Sequence, residues 1–308
     1  MKVNIPLVSV VITTKNEERN IRNCLQSIRE QTYKNIEIIV VDNSSSDMTK
    51  KIANEFTKIV VNVGPERSAQ RNFGLLKLSK GEILCYLDAD MIASRFLIED
   101  SVRFLQSTSN VGVYVPEIIL GKSLFAKIRR FERQFYNGTV VDAARIFTRG
   151  SFELTGGFDE DLFQFGSGED WDLDKLLKEN GTIQLLPTRF GDSELLTHPG
   201  IDFTLSSKLG VSIDSTFNGL LHNESEDKFF NYLMKKRYYS TGFAGYVAKW
   251  GSADSDIRKQ LGIRYRLVNV FFENGKWKKV IRNPHLFIAV IALKIAIVIV
   301  TISNFRKF

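Results

Sequence analysis

Cysteine and histidine are scarce in this chain of 308 residues, which has two cysteines, Cys24 and Cys85, and three histidines. Two cysteines without a paired spacing exclude a disulfide framework and a cysteine-built zinc site, and they favour a reducing compartment. There is no GxxxxGK[ST] loop and no GxGxxG, which argues against a P-loop nucleotidase and a dinucleotide-dependent dehydrogenase. The N-terminal stretch MKVNIPLVSVVITTKNEE does not read as a signal peptide, because its apolar run is short and no small-residue cleavage site follows. Internal repeats and low-complexity linkers are absent too.

What remains is a composition able to build a sizeable core, 44% apolar and 25% charged, in a length that suits one large domain or two modest ones. A net charge of +7 implies an anionic partner and leaves nucleic acid, a membrane surface and a phosphorylated substrate open. The charge is not spread evenly. Arg258 to Arg282 holds eight basic residues against the single acid Glu273. It gathers near an apolar tail rather than along a motif with stacking aromatics, so no nucleic-acid partner is expected.

That tail, LFIAVIALKIAIVIVTI from Leu286 to Ile302, carries one charge, Lys294. It sits at the short end of a membrane span, and a mid-bilayer lysine costs about 2.5–3.5 kcal/mol. A buried hydrophobic helix or strand is the alternative. The flanks KWKKVIRNPH and NFRKF place Trp, Lys, Arg and Phe at both ends, as interfacial anchors would be. SLFAKIRRFERQFY reads as a basic amphipathic helix, either packed on the core or lying in a membrane interface.

Toward the N-terminus, strand-like and helix-like segments alternate. LVSVVITT, IEIIVVD, KIVVNV and EILCYLDAD read as strands. RNIRNCLQSIREQ, MTKKIANEF and SAQRNFGLLKLS between them read as helices. This order predicts βαβ units and a mostly parallel sheet flanked by helices, an α/β fold. Ligands in such sheets bind beyond the carboxyl ends of the strands. The candidates are therefore Thr13–Glu17, Asp42–Asp47, Gly64–Arg71 and Asp88–Asp90.

The last cluster is an Asp-x-Asp ending an apolar strand. Two carboxylates so spaced can hold Mg²⁺ or Mn²⁺ while substrate phosphates complete the coordination. A solvated turn or helix cap would use the same residues. A phosphatase of the haloacid type also places Asp-x-Asp at a strand end, but DADMI lacks that family's following Thr or Val and comes after three βα units.

VSVVITTKNEERNI, IEIIVVDNSSSDMT, GPERSAQRNFGL, GEILCYLDADM and GGFDEDLFQFGSGEDWDLDKLLKENG follow one another in order. In this ordered set the chain resembles a family 2 inverting glycosyltransferase with the GT-A fold, over about residues 6 to 245. The resemblance implies a nucleotide-sugar-binding half at residues 1–100, an acceptor-side half at 101–225, and a basic helical region at 226–308 containing the membrane segment 286–302.

It further implies that Thr13, Asn16, Glu17 and Asp42 hold the base and ribose of a UDP- or GDP-sugar. Arg67 and Arg71 would serve the diphosphate, and Asp88 would lie by the ribose. Asp90, completed by His222, would bind the divalent metal, Mn²⁺ or Mg²⁺. A capping or surface role for His222, and a surface ion pair for Arg71, stay open. His198 and His285 match the metal position less well.

In GEDWDL, Asp170 would be the general base, with Glu169 and Trp171 on the acceptor side. An inverting transfer to a hydroxyl needs such a carboxylate, while a helix start rich in acids also suits the helix dipole. A phosphate acceptor needs no base, so the motif leans toward a sugar or other alcohol. The tail leans toward a lipid-linked one, and KKRYY at Lys235–Tyr239 reads either as a contact for lipid diphosphate or head groups or as a solvated helix face. The expected protein is membrane-associated, its catalytic domain facing the cytoplasm. A polyprenyl-phosphate glycosyltransferase and a catalytically inactive membrane-bound scaffold are the alternatives.

Overall fold

The computed structural model describes residues 5–163, 168–188, 217–225 and 228–305, with side chains to residue 301. His198 lies outside the described residues, as do 164–167 within the segment leading to GEDWDL. Strands β1 (Val8–Thr14), β2 (Ile36–Asp42), β3 (Val60–Asn62) and β4 (Ile83–Asp88) pair in parallel in the order β3-β2-β1-β4. All seven residues of β1 are buried, the mark of a parallel strand covered on both faces. Its side chains alternate accordingly. Val8, Val10 and Ile12 join one apolar cluster and Val11 the other.

The crossovers are α1 (Ile21–Arg29), α2 (Thr49–Ala53) and α3 (Arg67–Asn72). Helix α1 buries Ile21, Cys24, Leu25 and Ile28, the positions its periodicity marks. Asp47 accepts from the Thr49 amide at the start of α2. The segment expected as one helix over SAQRNFGLLKLS is α3 followed by a wider π-type stretch at Phe73–Leu78. Gly74 permits its approach to β1, since a Cβ there would stand 2.4 Å from Val11 Cγ1. Cys24 and Cys85 are both free and buried.

The sheet continues with β6 (Asn110–Tyr114), β8 (Ala144–Thr148) and β9 (Thr182–Leu185), giving the seven-strand order β3-β2-β1-β4-β8-β6-β9. Strand β8 runs antiparallel to both β4 and β6. A second, three-stranded sheet joins β5 (Met91–Ala93), β10 (Leu220–Asn223) and β7 (Glu117–Leu120). Helices α4 (Leu97–Ser107), α5 (Leu124–Arg133), α6 (Arg149–Thr155) and α7 (Glu169–Asn180) complete this part. Gly168, at φ 129°, starts α7 where a Cβ would press 2.9 Å from the Phe163 ring.

A helical layer follows: α8 (Phe229–Tyr239), α9 (Phe243–Trp250), α10 (Ser255–Gln260), α11 (Ile263–Leu267), α12 (Trp277–Arg282) and α13 (Pro284–Phe305). Two apolar clusters fasten it to α5. One gathers Phe131, Phe135, Tyr136, Phe271 and Val290, and the other Tyr232, Leu233 and Leu293.

Two readings left open by the sequence are narrowed here. Helix α5 packs on the core, and its arginines are turned inward rather than solvated. Arg129 and Arg130 are buried, Arg130 donating to the carbonyls of Ile119 and Gly121, and only Lys127 among its basic residues is exposed. Nor does Lys294 face a bilayer. It is buried against Glu132 at 3.3 Å and donates to the Tyr136 hydroxyl at 2.6 Å. Helix α13 is the one helix among the described residues long and apolar enough to cross a membrane. Its 22 residues reach about 33 Å. One face packs on α5 and α8, while Ile288, Ile295 and Ile299, in a stripe at i, i+7 and i+11, stand 68%, 47% and 66% exposed.

Candidate active site

The strand ends open into one cavity of about 710 Å³. Thr13 at the end of β1, Glu17 in the loop after it, Arg67 at the start of α3, Asp88 and Asp90 after β4, Glu169, Asp170 and Trp171 at the start of α7, and His222 on β10 all line it. Asn16, Asp42 and Arg71 do not, and each has a structural occupation. Asn16, at φ 54°, accepts from the Ser46 amide and donates its own amide to Ser45 Oγ. Asp42 is fully buried and accepts from the amide and hydroxyl of Ser45. These two residues shape the turn beneath the donor side of the cavity.

Arg71 is the centre of the electrostatics. Its side chain is wholly buried over the rings of Tyr86 and Phe158, 4.6 and 5.2 Å from their centroids. It donates to Asp170 Oδ1 at 2.9 Å and Asp88 Oδ1 at 3.1 Å, with Glu169 at 3.5 Å. The Tyr86 hydroxyl donates to the same Asp170 oxygen at 2.8 Å. Asp170 Oδ2 has no hydrogen bond among the described residues, and the side chain remains 26% exposed to the cavity. Burial, the largest single influence, would raise the Asp170 carboxyl, but Arg71 and Arg145 together outweigh it and hold it below the usual carboxylate range. Asp88 is likewise held well below that range against burial by Arg71 and Arg145. Glu169 differs. Its burial outweighs the pull of Arg67, 2.8 Å away, and its carboxyl is raised.

The second sheet assembles the other half. Pairing β10 against β5 puts His222 opposite Met91, and pairing it with β7 brings Glu117 close. His222 Nε2 lies 3.2 Å from Asp90 Oδ2 and Nδ1 lies 2.9 Å from Glu117 Oε1. Burial disfavours the imidazolium, yet Asp90 and Glu117 together raise its pKa well above the ordinary value. Asp90 Oδ1 is buried with no hydrogen-bond partner. Among the described residues no three His, Cys, Asp or Glu side chains gather as a closed metal cage. An orphaned carboxylate oxygen beside an imidazole fits a cation held by few protein ligands, the mode of Mg²⁺ and Mn²⁺ beside substrate phosphates. His285 is exposed on α13, away from this pair.

Sequence reasoning missed Tyr86, Arg145 and Glu117. Tyr86 shares a strand face with Asp88, two residues on. Arg145 is a lone cation inside the apolar strand ARIFT, where a charge buried in a strand is itself a signal. Glu117 carried none.

The parallel β1–β4 core, with acids at its carboxyl end and a second small sheet closing the pocket, is the architecture of the GT-A fold. Residues 9–154, a little under half of the chain, match the family model described as glycosyl transferase family 2. It is 37% identical over 117 residues to glycosyltransferase AglE of Haloferax volcanii, covering 35% of this chain and 38% of that protein. It is 34% identical over 184 residues to the probable glycosyltransferase YdaM of Bacillus subtilis, covering 51% of this chain and 44% of that one. The matches thus span less than half of these relatives.

Among solved structures, mannosyltransferase PcManGT of Pyrobaculum calidifontis, in complex with GDP-Man and Mn²⁺, aligns at a TM-score of 0.59 and 15% identity. The alignment covers 99% of this chain and 88% of that one. TarS 1–349 of S. aureus in complex with UDP aligns at 0.52 and 16%, covering 97% and 89%. At such identities the likeness is one of fold.

Proposed function

We propose that the protein transfers a sugar from a UDP- or GDP-sugar to an acceptor hydroxyl with inversion, at a membrane surface facing the cytoplasm. The observation that carries this reading is Asp170. One of its oxygens is fixed by Arg71 and Tyr86, while the other is unengaged in a cavity shared with Asp88, Asp90 and His222. A carboxylate held ionised and oriented in this way is equipped to take the proton of an attacking hydroxyl. The match of residues 9–154 to a glycosyl transferase family supports a transferase, and the GDP-Man and UDP carried by structures of like fold support a nucleotide-linked donor.

Asp90 and His222 are the residues that would hold a divalent cation. When bound, such an ion neutralises the departing nucleoside diphosphate. Thr13, Glu17 and Arg67 line the donor side, and Asp88, held ionised, is suited to ribose hydroxyls. Arg71 does not reach the donor in this reading. It sets the charge state and aim of Asp170 and Asp88. Trp171 stacks on Phe243 with centroids 5.4 Å apart and donates Nε1 to the Val141 carbonyl. This gives the acceptor side a fixed aromatic wall.

Membrane association rests on the exposed stripe of α13 and on Phe230 and Met234 of α8, 75% and 50% exposed. Such apolar surface is seldom left to water. The buried, unpaired cysteines suit a cytoplasmic face.

The deciding experiment is a thermal-shift screen of UDP- and GDP-sugars with and without Mn²⁺, followed by turnover with Asp170→Asn. A metal-dependent donor shift, with transfer lost in the variant, is expected. Full transfer by the variant would point to an acceptor that needs no base.

A further inference from the structure

The cavity does not end at the acceptor side of Asp170. It runs on between α5, α8, α11 and α13, where Arg129, Lys236, Arg266 and Lys294 line it together with Glu132 and Glu224. The charges do not balance. Arg129 takes Glu224 through two hydrogen bonds of 3.1 and 3.0 Å and also pairs with Glu132. Lys294 shares Glu132 and the Tyr136 hydroxyl. Both acids are thereby engaged. The Lys236 ammonium has no ion pair or hydrogen bond among the described residues. It lies 5.1 Å from the centroid of the Tyr232 ring. Arg266 sits over the Tyr136 ring at 4.8 Å, and its Nη1 is buried without a partner. Burial and the neighbouring Arg129 lower Lys236 to about 8. The Lys236 and Arg266 side chains are half-buried, and Glu132 and Glu224, which act on Lys236, are already engaged by Arg129 and Lys294, so the excess positive charge and the unpartnered Arg266 Nη1 suit the chamber to an anion. Its remaining wall is apolar: Leu261, Ile263 and Leu267 of the α10–α11 segment, and Ile297 and Val298 of α13.

We propose that this chamber binds the phosphate or diphosphate group of an acceptor carried on an apolar chain. Lys236 and Arg266 contact the phosphate oxygens, and the chain lies along Ile297 and Val298 toward the exposed face of α13. Four cations against two carboxylates leave an excess of two positive charges, which suits a diphosphate ester. Because the chamber and the Asp170 site are parts of one cavity, an anion held there would leave a sugar attached to it directed toward the base. The word acceptor in this inference rests on the transferase reading. The binding itself does not.

The test is calorimetric binding of farnesyl diphosphate to the full chain in non-ionic detergent, with UDP and Mn²⁺ present to fill the donor side. Lys236→Gln removes a group that has no ion pair or hydrogen bond to lose, only its contact with the Tyr232 ring. Arg266→Gln removes a stacked one, with thermal melts of both variants confirming that they fold. Each substitution is expected to weaken farnesyl diphosphate about tenfold, the worth of one charge-assisted contact, and to leave UDP affinity unchanged. Inorganic diphosphate is expected to compete far more weakly than the chain-bearing ligand.

Unchanged farnesyl diphosphate affinity in the folded Lys236→Gln protein would overturn the assignment. So would equal competition by inorganic diphosphate, because the apolar wall would then have no part. Displacement by phosphatidylglycerol vesicles, through the same two residues, would reassign the chamber to bilayer head groups. Turnover of UDP- and GDP-sugars is measured separately in the same preparations. Its absence would sink the transferase reading and leave the binding result standing.

Discussion

Arg71→Gln is the most informative single substitution, because one buried guanidinium holds three carboxylates. In the native protein it stands 2.9 Å from Asp170, 3.1 Å from Asp88 and 3.5 Å from Glu169, with no exposed side-chain surface. Removing one partner of such an arrangement strands the others, at a cost of about 3–5 kcal/mol. For a chain of this size that lowers Tm by roughly 5–8 °C.

The pH dependence separates this from a generic packing defect. Asp170 and Asp88 have folded-state values below their unfolded ones. They therefore stabilise the fold at neutral pH, and that contribution disappears only as pH falls through the depressed values. Without Arg71, burial and mutual repulsion act on them with less opposition, and the loss begins at higher pH. The acid limb of the turnover profile, which Arg71 holds low in the native protein, should move to higher pH in the variant. The assay is nucleoside diphosphate release from the donor between pH 4 and 8, alongside thermal melts over the same range. An Arg71→Gln protein that melts lower but keeps its acid limb in place would refute the electrostatic role assigned to Arg71 and leave it a packing residue.

Further outcomes follow from the same geometry. Asp170→Asn should reduce transfer at least a hundredfold while donor affinity by calorimetry stays within about twofold; an equal loss in donor binding would move Asp170 out of the base role. His222→Ala should weaken Mn²⁺-dependent donor binding and leave metal-free binding unchanged, which titration with and without EDTA reads directly. Asp174, buried on α7 and accepting from the Ala144 amide, is pushed up to about 7 by burial. A raised carboxyl favours the fold in its neutral form and costs stability as pH rises through that value. Asp174→Asn should thus stabilise the protein at pH 8 by up to roughly 4 kcal/mol and do little at pH 4; melts that rise equally at both would contradict this. Replacing Ile288, Ile295 and Ile299 together with Ser should cut vesicle partitioning by more than about a hundredfold, given roughly 1.5 kcal/mol or more per buried isoleucine, without lowering Tm. Unchanged flotation would require a different anchor.

Much of this protein was legible in one dimension. The β-branched runs of β1, β2 and β4 and the apolar period of α1 are local signals, and they determine a parallel α/β core whatever the rest of the chain does. A parallel sheet places every strand's carboxyl end on one edge, so Thr13, Glu17, Asp88 and Asp90 had to converge there. GEDWDL was readable as an acid-rich helix start for the same local reason.

What the order of residues did not determine was the use of each charge. That Arg71 faces Asp170, 99 positions away, rather than a ligand depends on how α3 and α7 pack against β4. That His222 meets Asp90 across 132 positions depends on the register of a strand pairing that no local pattern encodes. The arginines of α5 and the lysine of α13 looked like solvated or lipid-facing cations. Tertiary packing turned them inward, where Glu224 meets Arg129, the carbonyls of Ile119 and Gly121 meet Arg130, and Glu132 with Tyr136 meets Lys294. Periodicity is a property of neighbours in sequence and declares itself there. The compensation of a buried charge is a property of neighbours in space, and only the folded chain supplies them.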